Sequence, residues 1–154
     1  MVAPPIPSSF ELQIVTPDRL LVREQVDEVE VPGSEGYFGV LPGHTPMLAS
    51  LAIGEMWYRK GQEKTYLSLA FGFAEVLPDR VTLLARIAER AHEIDVPRAE
   101  QARKRAEADL AQKEIVDYEK LRADLMKAVA RLQVASRLQL SGRVGHHRTP
   151  PPQA

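Results

Sequence analysis

The chain has 154 residues, 44% hydrophobic and 27% charged, which supplies a buried core and excludes wholesale disorder. Lys and Arg total 20 against 21 Asp and Glu, a formal net charge of −1, which argues against a protein that holds nucleic acid over its whole surface. There is no Cys, so disulfide scaffolds, zinc fingers, iron–sulfur clusters and thiol chemistry are excluded.

The first nine residues, including Pro4-Pro5-Ile6-Pro7, read as a flexible N-terminus. They carry neither the basic n-region nor the apolar run of a secretory signal, and no window approaches the ~20 apolar residues of a membrane-spanning helix. The expectation is a soluble intracellular chain. Phe10, Leu12 and Ile14 alternate with polar neighbours, the period-2 pattern of a half-buried strand. Thr16-Pro17-Asp18-Arg19 is a turn, and Leu20-Leu21-Val22 and Val29-Glu30-Val31 read as further strands. Met56 to Arg59 and Tyr66 to Leu69 flank Gly61-Gln62-Glu63 as a hairpin. Phe71 to Leu77, Pro78-Asp79 and Val81 to Leu84 form one more strand–turn–strand. Turn signals at this density predict an antiparallel β-sandwich or barrel over residues 10–87.

The character then changes. Residues 1–86 carry 7 Lys/Arg and 11 Asp/Glu with seven of the nine Gly and the only Trp, whereas residues 87–154 carry 13 and 10. After a linker at 88–94, Asp95 is a helix cap with Pro97 tolerated in the first turn. Ala99, Ala102, Ala106 and Leu110 line one face of a first helix running to about Gln112. Ile115-Val116-Asp117 marks a bend, and Tyr118, Leu121, Leu125, Ala128, Leu132 and Ala135 then recur at helical spacing. The prediction is an antiparallel two-helix hairpin over 95–140, with a disordered tail at 141–154. Because an Ala methyl buries little area, a seam this rich in Ala predicts a weakly held hairpin.

Candidate chemistry is sparse. Pro32-Gly33-Ser34-Glu35-Gly36-Tyr37-Phe38-Gly39 is neither a dinucleotide fingerprint nor a P-loop, and reads as a tight exposed loop. His44 reads as a hydrogen-bonded structural residue, and His146-His147 lacks a third ligand for a metal. Arg103-Lys104-Arg105 is flanked by Glu100, Glu107 and Asp109, the pattern of a solvated helix face. No catalytic triad, paired-carboxylate cleft or metal constellation emerges, so the expectation is a non-catalytic protein without a required cofactor.

From Val29 through Pro46, VEVPGSEGYFGVLPGHTP, the sequence closely resembles the epsilon subunit family of bacterial F-type ATP synthases, and the similarity extends from about Phe10 to Leu138. The resemblance implies a ten-stranded β-sandwich followed by two C-terminal helices. It implies a rotor subunit of the central stalk, bound to gamma and to the membrane c-ring, peripheral to the cytoplasmic face of the bacterial inner membrane. By that resemblance Gly33, Ser34, Glu35 and Gly36 would face the c-ring with His44 near them. The helices would extend along gamma into the alpha/beta catalytic hexamer and inhibit ATP hydrolysis, with Arg122, Lys127, Arg131 and Arg137 meeting acidic loops there. Asp95 to Gln139 as one continuous helix would span about 65 Å, enough for such a reach.

Ile94-Asp95-Val96-Pro97-Arg98-Ala99 matches the I/L-D-x-x-R-A pattern that contributes to an ATP site in some members. Carried over by position, Glu89, Asp95, Arg98, Ala99, Arg105 and Arg131 match, while Lys127 replaces an Arg and loses its bidentate fork. ATP is thus a candidate regulatory ligand. A stand-alone β-sandwich binding module with a helical interaction arm is the alternative reading; neither reading involves nucleic acid or direct membrane insertion.

Overall fold

The computed structural model describes residues 2–112, 114 and 117–144. Seven strands, β1 (Phe10–Val15), β2 (Leu20–Val26), β3 (Glu28–Gly33), β4 (Gly36–Val40), β5 (Met47–Lys60), β6 (Glu63–Leu77) and β7 (Arg80–Arg90), precede a 3-10 turn (Ala91–Glu93) and helices α1 (Val96–Leu110) and α2 (Tyr118–Val144). The strands form one sheet in the order β2-β1-β7-β6-β5-β3-β4. The resemblance implied ten strands; the described residues form seven, because β5, β6 and β7 each run through a bend and serve both layers. The sheet is also mixed rather than wholly antiparallel, since β1 pairs parallel with β7, Leu12 opposite Val81 and Ile14 opposite Leu83.

The bend is built at Phe71-Gly72. Phe71 has φ 59° and Gly72 φ 135°, left-handed backbone in the middle of a 15-residue strand. The pairing of β6 with its neighbours resumes in the same register on either side, Ile53↔Ala70 then Leu51↔Gly72, and Ala70↔Ile87 then Gly72↔Ala85. The buried set nevertheless changes parity across it. Leu67 and Leu69 are buried before the bend, Ala74 and Val76 after it, and all four lie in one core. The neighbouring strands change in step: Leu51 gives way to Met56 and Tyr58 on β5, and Leu83 and Ala85 to Ala88 on β7. Each long strand therefore turns opposite sets of side chains into the same interior. Phe10, Leu12 and Ile14 of β1 and Val29, Val31 and Val40 of β3–β4 fill the space between the two halves.

Two stretches differ from the sequence reading. Gly36–Val40, expected as loop, is strand β4, closed onto β3 through Ser34-Glu35 with Gly33 opposite Gly36. The linker expected at 88–94 begins as strand, with Ala88, Glu89 and Arg90 still paired with Leu69, Ser68 and Leu67, and continues as the 3-10 turn Ala91–Glu93.

Asp95 caps α1 as expected, its Oδ1 accepting from the Arg98 N–H at 3.1 Å. Asp117 caps α2, accepting from the Lys120 N–H at 3.0 Å. The bend residues Ile115 and Val116 lie outside the described residues. Of the expected seam, Ala99, Ala106, Ala128 and Ala135 are buried, whereas Tyr118 is 54% exposed and sits off it. Helix α2 continues past the expected end at 140 to Val144, with the Ser141 hydroxyl donating to the Arg137 carbonyl; residues 145–154, including His146 and His147, lie outside the described residues.

A Cβ on Gly72 would strike the Leu84 carbonyl, and its φ disfavours any L side chain. Gly72→Val is therefore expected to cost at least about 3 kcal/mol in urea unfolding, whereas Gly61→Ala, at a φ of 61° but in open space, costs about 1.

Candidate functional site

The parity change leaves two faces on the outside of the sandwich, and they differ in kind. Beyond the bend, the outward positions of β5, β6 and β7 carry Leu48, Phe73 and Leu84, which are 79%, 62% and 54% exposed. Phe73 stands opposite Leu84 and Ser50 in the ladder. Phe73 and Leu84 line a shallow apolar hollow of about 630 Å³ with Val15, Pro17 and Phe71, while Leu48 lines a separate hollow beside the β3–β4 turn. Scattered exposed apolar residues are ordinary; an adjacent exposed pair that lines an apolar hollow marks a candidate docking surface.

Before the bend, the outward face is covered by α2. Ala130 packs with Ile53 and Ala70, with Phe71, Ile87 and Ala123 at the margin. Val134 and Ala135 pack with Ile94, Tyr66 and Ala91. Ion pairs frame this contact. Arg131 clasps Glu89 through Nε and Nη2 at 2.6 and 3.3 Å, and Arg137 clasps Glu55 likewise at 3.1 and 2.8 Å. The Arg137 guanidinium also lies 4.9 Å from the Tyr66 ring centre. Helix α1 packs on α2, so α2 stands between it and the sheet.

The residues singled out from the sequence fall into three places. Gly33, Ser34, Glu35 and Gly36 form the β3–β4 turn, with Ser34 and Glu35 exposed and Gly36 at φ 125°. His44 lies past the other end of β4, in the crossing to β5, where Nδ1 donates to the Thr45 carbonyl at 2.7 Å. Of the residues matched to an ATP site, Glu89 and Arg131 meet directly, and Asp95 meets the Arg98 backbone; Ala99 is buried in the helix seam, while Arg98 and Arg105 are exposed on α1. Lys127 pairs with Asp124 at 3.6 Å. Arg122 is exposed beside a small groove that Ile53, Phe71 and Met126 also line. Arg103 pairs with Glu100 and Glu107 at 2.9 and 3.2 Å, as a solvated helix face requires. Glu55 was not legible as functional, because its partner Arg137 is 82 residues away and only the sheet register brings them together.

The junction between the two parts is fixed by Glu93. Its carboxylate accepts from the Arg90 N–H at 2.9 Å and from the Arg19 guanidinium at 2.7 Å. Burial alone would raise its pKa, but the Arg90 N–H and Arg19 outweigh it and hold the group below its ordinary 4.5.

A β platform with one bare apolar face and a helical arm clipped to another is a docking subunit, working through partner surfaces. Comparison with known proteins makes the class specific. Residues 9–91 match the family model for the ATP synthase Delta/Epsilon chain, beta-sandwich domain, and residues 92–136 that for its long alpha-helix domain. The ATP synthase epsilon chain of Syntrophobacter fumaroxidans is 51% identical over 129 residues, covering 83% of this chain and 96% of that one. That of Nitratidesulfovibrio vulgaris is 50% identical over 127 residues, covering 82% and 95%. A chain in the mitochondrial ATP synthase of Euglena gracilis (OSCP/F1/c-ring, rotational state 1) shares the fold at a TM-score of 0.66 and 23% identity, over 90% of this chain and 84% of that one. The chain belongs to the ATP synthase delta/epsilon family, as an epsilon-type, non-catalytic subunit of the central stalk of the F-type enzyme.

Because the Glu93 pKa is depressed on folding, its stabilisation is complete above about pH 4.5 and is lost as pH falls through the lower folded value. Glu93→Gln should flatten that part of the acid limb in a pH series of urea unfolding. Asp95→Ala should cost about 1 kcal/mol, read as faster amide exchange in the first turn of α1.

Proposed function

We propose that this chain joins the gamma subunit to the c-ring, so that rotation passes between ion flow and ATP synthesis, and that its helical arm restrains ATP hydrolysis. In this reading it is a peripheral part of the F1 sector on the cytoplasmic face of the bacterial cell membrane. The observation that carries the reading is the exposed apolar pair Phe73 and Leu84 lining the hollow on the sandwich, with Leu48 exposed on the same face. Such a surface is costly to leave in water and suits the side of a long helical shaft, which gamma supplies. The β3–β4 turn, with Glu35 exposed at its tip, is then the c-ring contact, and His44 holds the crossing loop in shape behind it. Among the described residues no helix is long and apolar enough to cross a membrane, so the ring is met at its surface.

In the docked arrangement Arg131 and Arg137 are held by the sandwich, while Arg122 faces outward. Release of the arm would present Arg122, Lys127, Arg131 and Arg137 together to acidic loops of the alpha/beta hexamer. ATP is the proposed ligand of the docked arm, through Asp95, Arg98, Ala99 and Arg105 of α1 with Glu89, Lys127 and Arg131. A ligand at 100 times its dissociation constant stabilises the state it binds by about 2.7 kcal/mol, so ATP would hold the arm down and leave hydrolysis free. The triphosphate must first draw Arg131 from Glu89 and Lys127 from Asp124.

Phe73→Asp with Leu84→Asp should weaken binding to gamma by about 100-fold or more in calorimetry while leaving unfolding midpoints within a few degrees, since both side chains are exposed. Unchanged binding would move the gamma contact off this face. Heat on titrating millimolar ATP, lost in Arg98→Ala, supports the nucleotide site; no heat removes it.

A further inference from the structure

The two carboxylates that receive α2 are not scattered. Glu55 stands opposite Ser68, and Ser68 opposite Glu89, so the three form one transverse row across β5, β6 and β7. Strands lie about 4.8 Å apart, which sets the two carboxylate-bearing positions about 10 Å from each other. On α2, Arg131 and Arg137 are six residues apart, a rise of about 9 Å. The helix pitch and the sheet spacing match, and each guanidinium meets its carboxylate through two nitrogens. Val134 is at the midpoint, fully buried, with one arginine about 60° to either side of it around the helix. The central member of the row is the small Ser68, 4% exposed, which lets the helix come close. By contrast, α2 brings mainly methyl-sized groups, Ala123, Ala130 and Ala135, to the apolar part of this contact. Such groups gain little per residue, so the charged pairs decide how firmly the helix sits.

We propose that Glu55 and Glu89 are internal stand-ins for the acidic groups of the catalytic subunits, a matched pair that occupies Arg131 and Arg137 and sets the fraction of chains in which the arm is free. The clasp engages the Nε–Nη2 edge of each guanidinium and pins it against the sheet, so while α2 is docked a second carboxylate can reach only the Nη1 side. A partner must therefore compete with the sandwich for the same two side chains, and the strength of the glutamate row tunes how readily the arm inhibits. This rests on the reading of α2 as the inhibitory element, while the clasp itself depends only on the contacts within the chain. Ionic strength enters directly: each pair is partly exposed, so salt weakens the hold.

The chain lacks Cys, so Gln62→Cys with Gln139→Cys gives a unique spin-label pair on the full-length protein, one label on the β5–β6 turn and one near the end of α2. The docked form has one short separation, and the free arm a broad long one. Adding Glu55→Gln or Glu89→Gln should raise the long-distance fraction relative to the docked one by about three- to tenfold each, and 0.5 M salt should do the same to the parent but little to the double variant. The exchanged pair Glu89→Arg with Arg131→Glu should return the distribution toward the parent, which separates loss of the clasp from damage to the fold. A distribution unchanged in the double variant, or not recovered by the exchange, overturns the proposal. In the assembled enzyme the double variant should hydrolyse ATP more slowly. A freed arm with unchanged hydrolysis would overturn the inhibitory reading of α2 and leave the clasp standing; an unchanged distribution overturns the clasp whatever the hydrolysis rate.

Discussion

The left-handed backbone at Phe71-Gly72 is the constraint on which the rest of the molecule depends. A strand of regular pleat keeps one set of alternate side chains on one face for its whole length. Here three adjacent strands exchange their buried and exposed sets at the same level without losing register, and one sheet thereby encloses its own core. The same event decides what the outside looks like. On one side of the bend it turns Ile53, Glu55, Ser68, Ala70, Ile87 and Glu89 toward α2; on the other it turns Leu48, Phe73 and Leu84 outward, uncovered among the described residues. The strain is local, and the pairing of β5, β6 and β7 on both sides of the bend holds it in place.

Two outside faces of different chemistry give a rotor subunit two different kinds of attachment. An apolar face binds in a way that salt and modest motion do not disturb, which suits the hold on gamma proposed above. A face that joins a small-residue helix through two ion pairs is held more lightly, and its balance responds to competing charge. In the proposed reading the division of labour follows side-chain chemistry: large apolar groups where contact would persist, alanine and arginine where it would be exchanged.

Much of this was legible in the sequence. The alternation at Phe10, Leu12 and Ile14, the turn at Gly61, the cap at Asp95 and the alanine seam all reappear as elements, because each is a local pattern with a local cause. Strand β4 read as loop because its three-glycine surroundings mask a short alternation, Phe38 and Val40 inward with Tyr37 and Gly39 exposed on the sheet edge. The fold of the sheet escaped because a parity change in a period-2 pattern reads as the end of one strand and the start of another. The glutamate row was half visible: Glu89 drew attention through a resemblance, but Glu55 and Ser68 join it only through register, which no window of neighbouring residues contains. His44 was legible as a hydrogen-bonded loop residue, while its place near the Glu35 turn belongs to the proposed reading.

The account's central claim is that α2 leaves the sheet as a unit while the sandwich stays folded. Native-state amide exchange across the intact chain tests this most directly. The account predicts that amides of 123–138 exchange through an opening well below the global unfolding free energy and independent of denaturant-driven unfolding of β5, β6 and β7. Exchange of α2 and of those strands at one common free energy would contradict it.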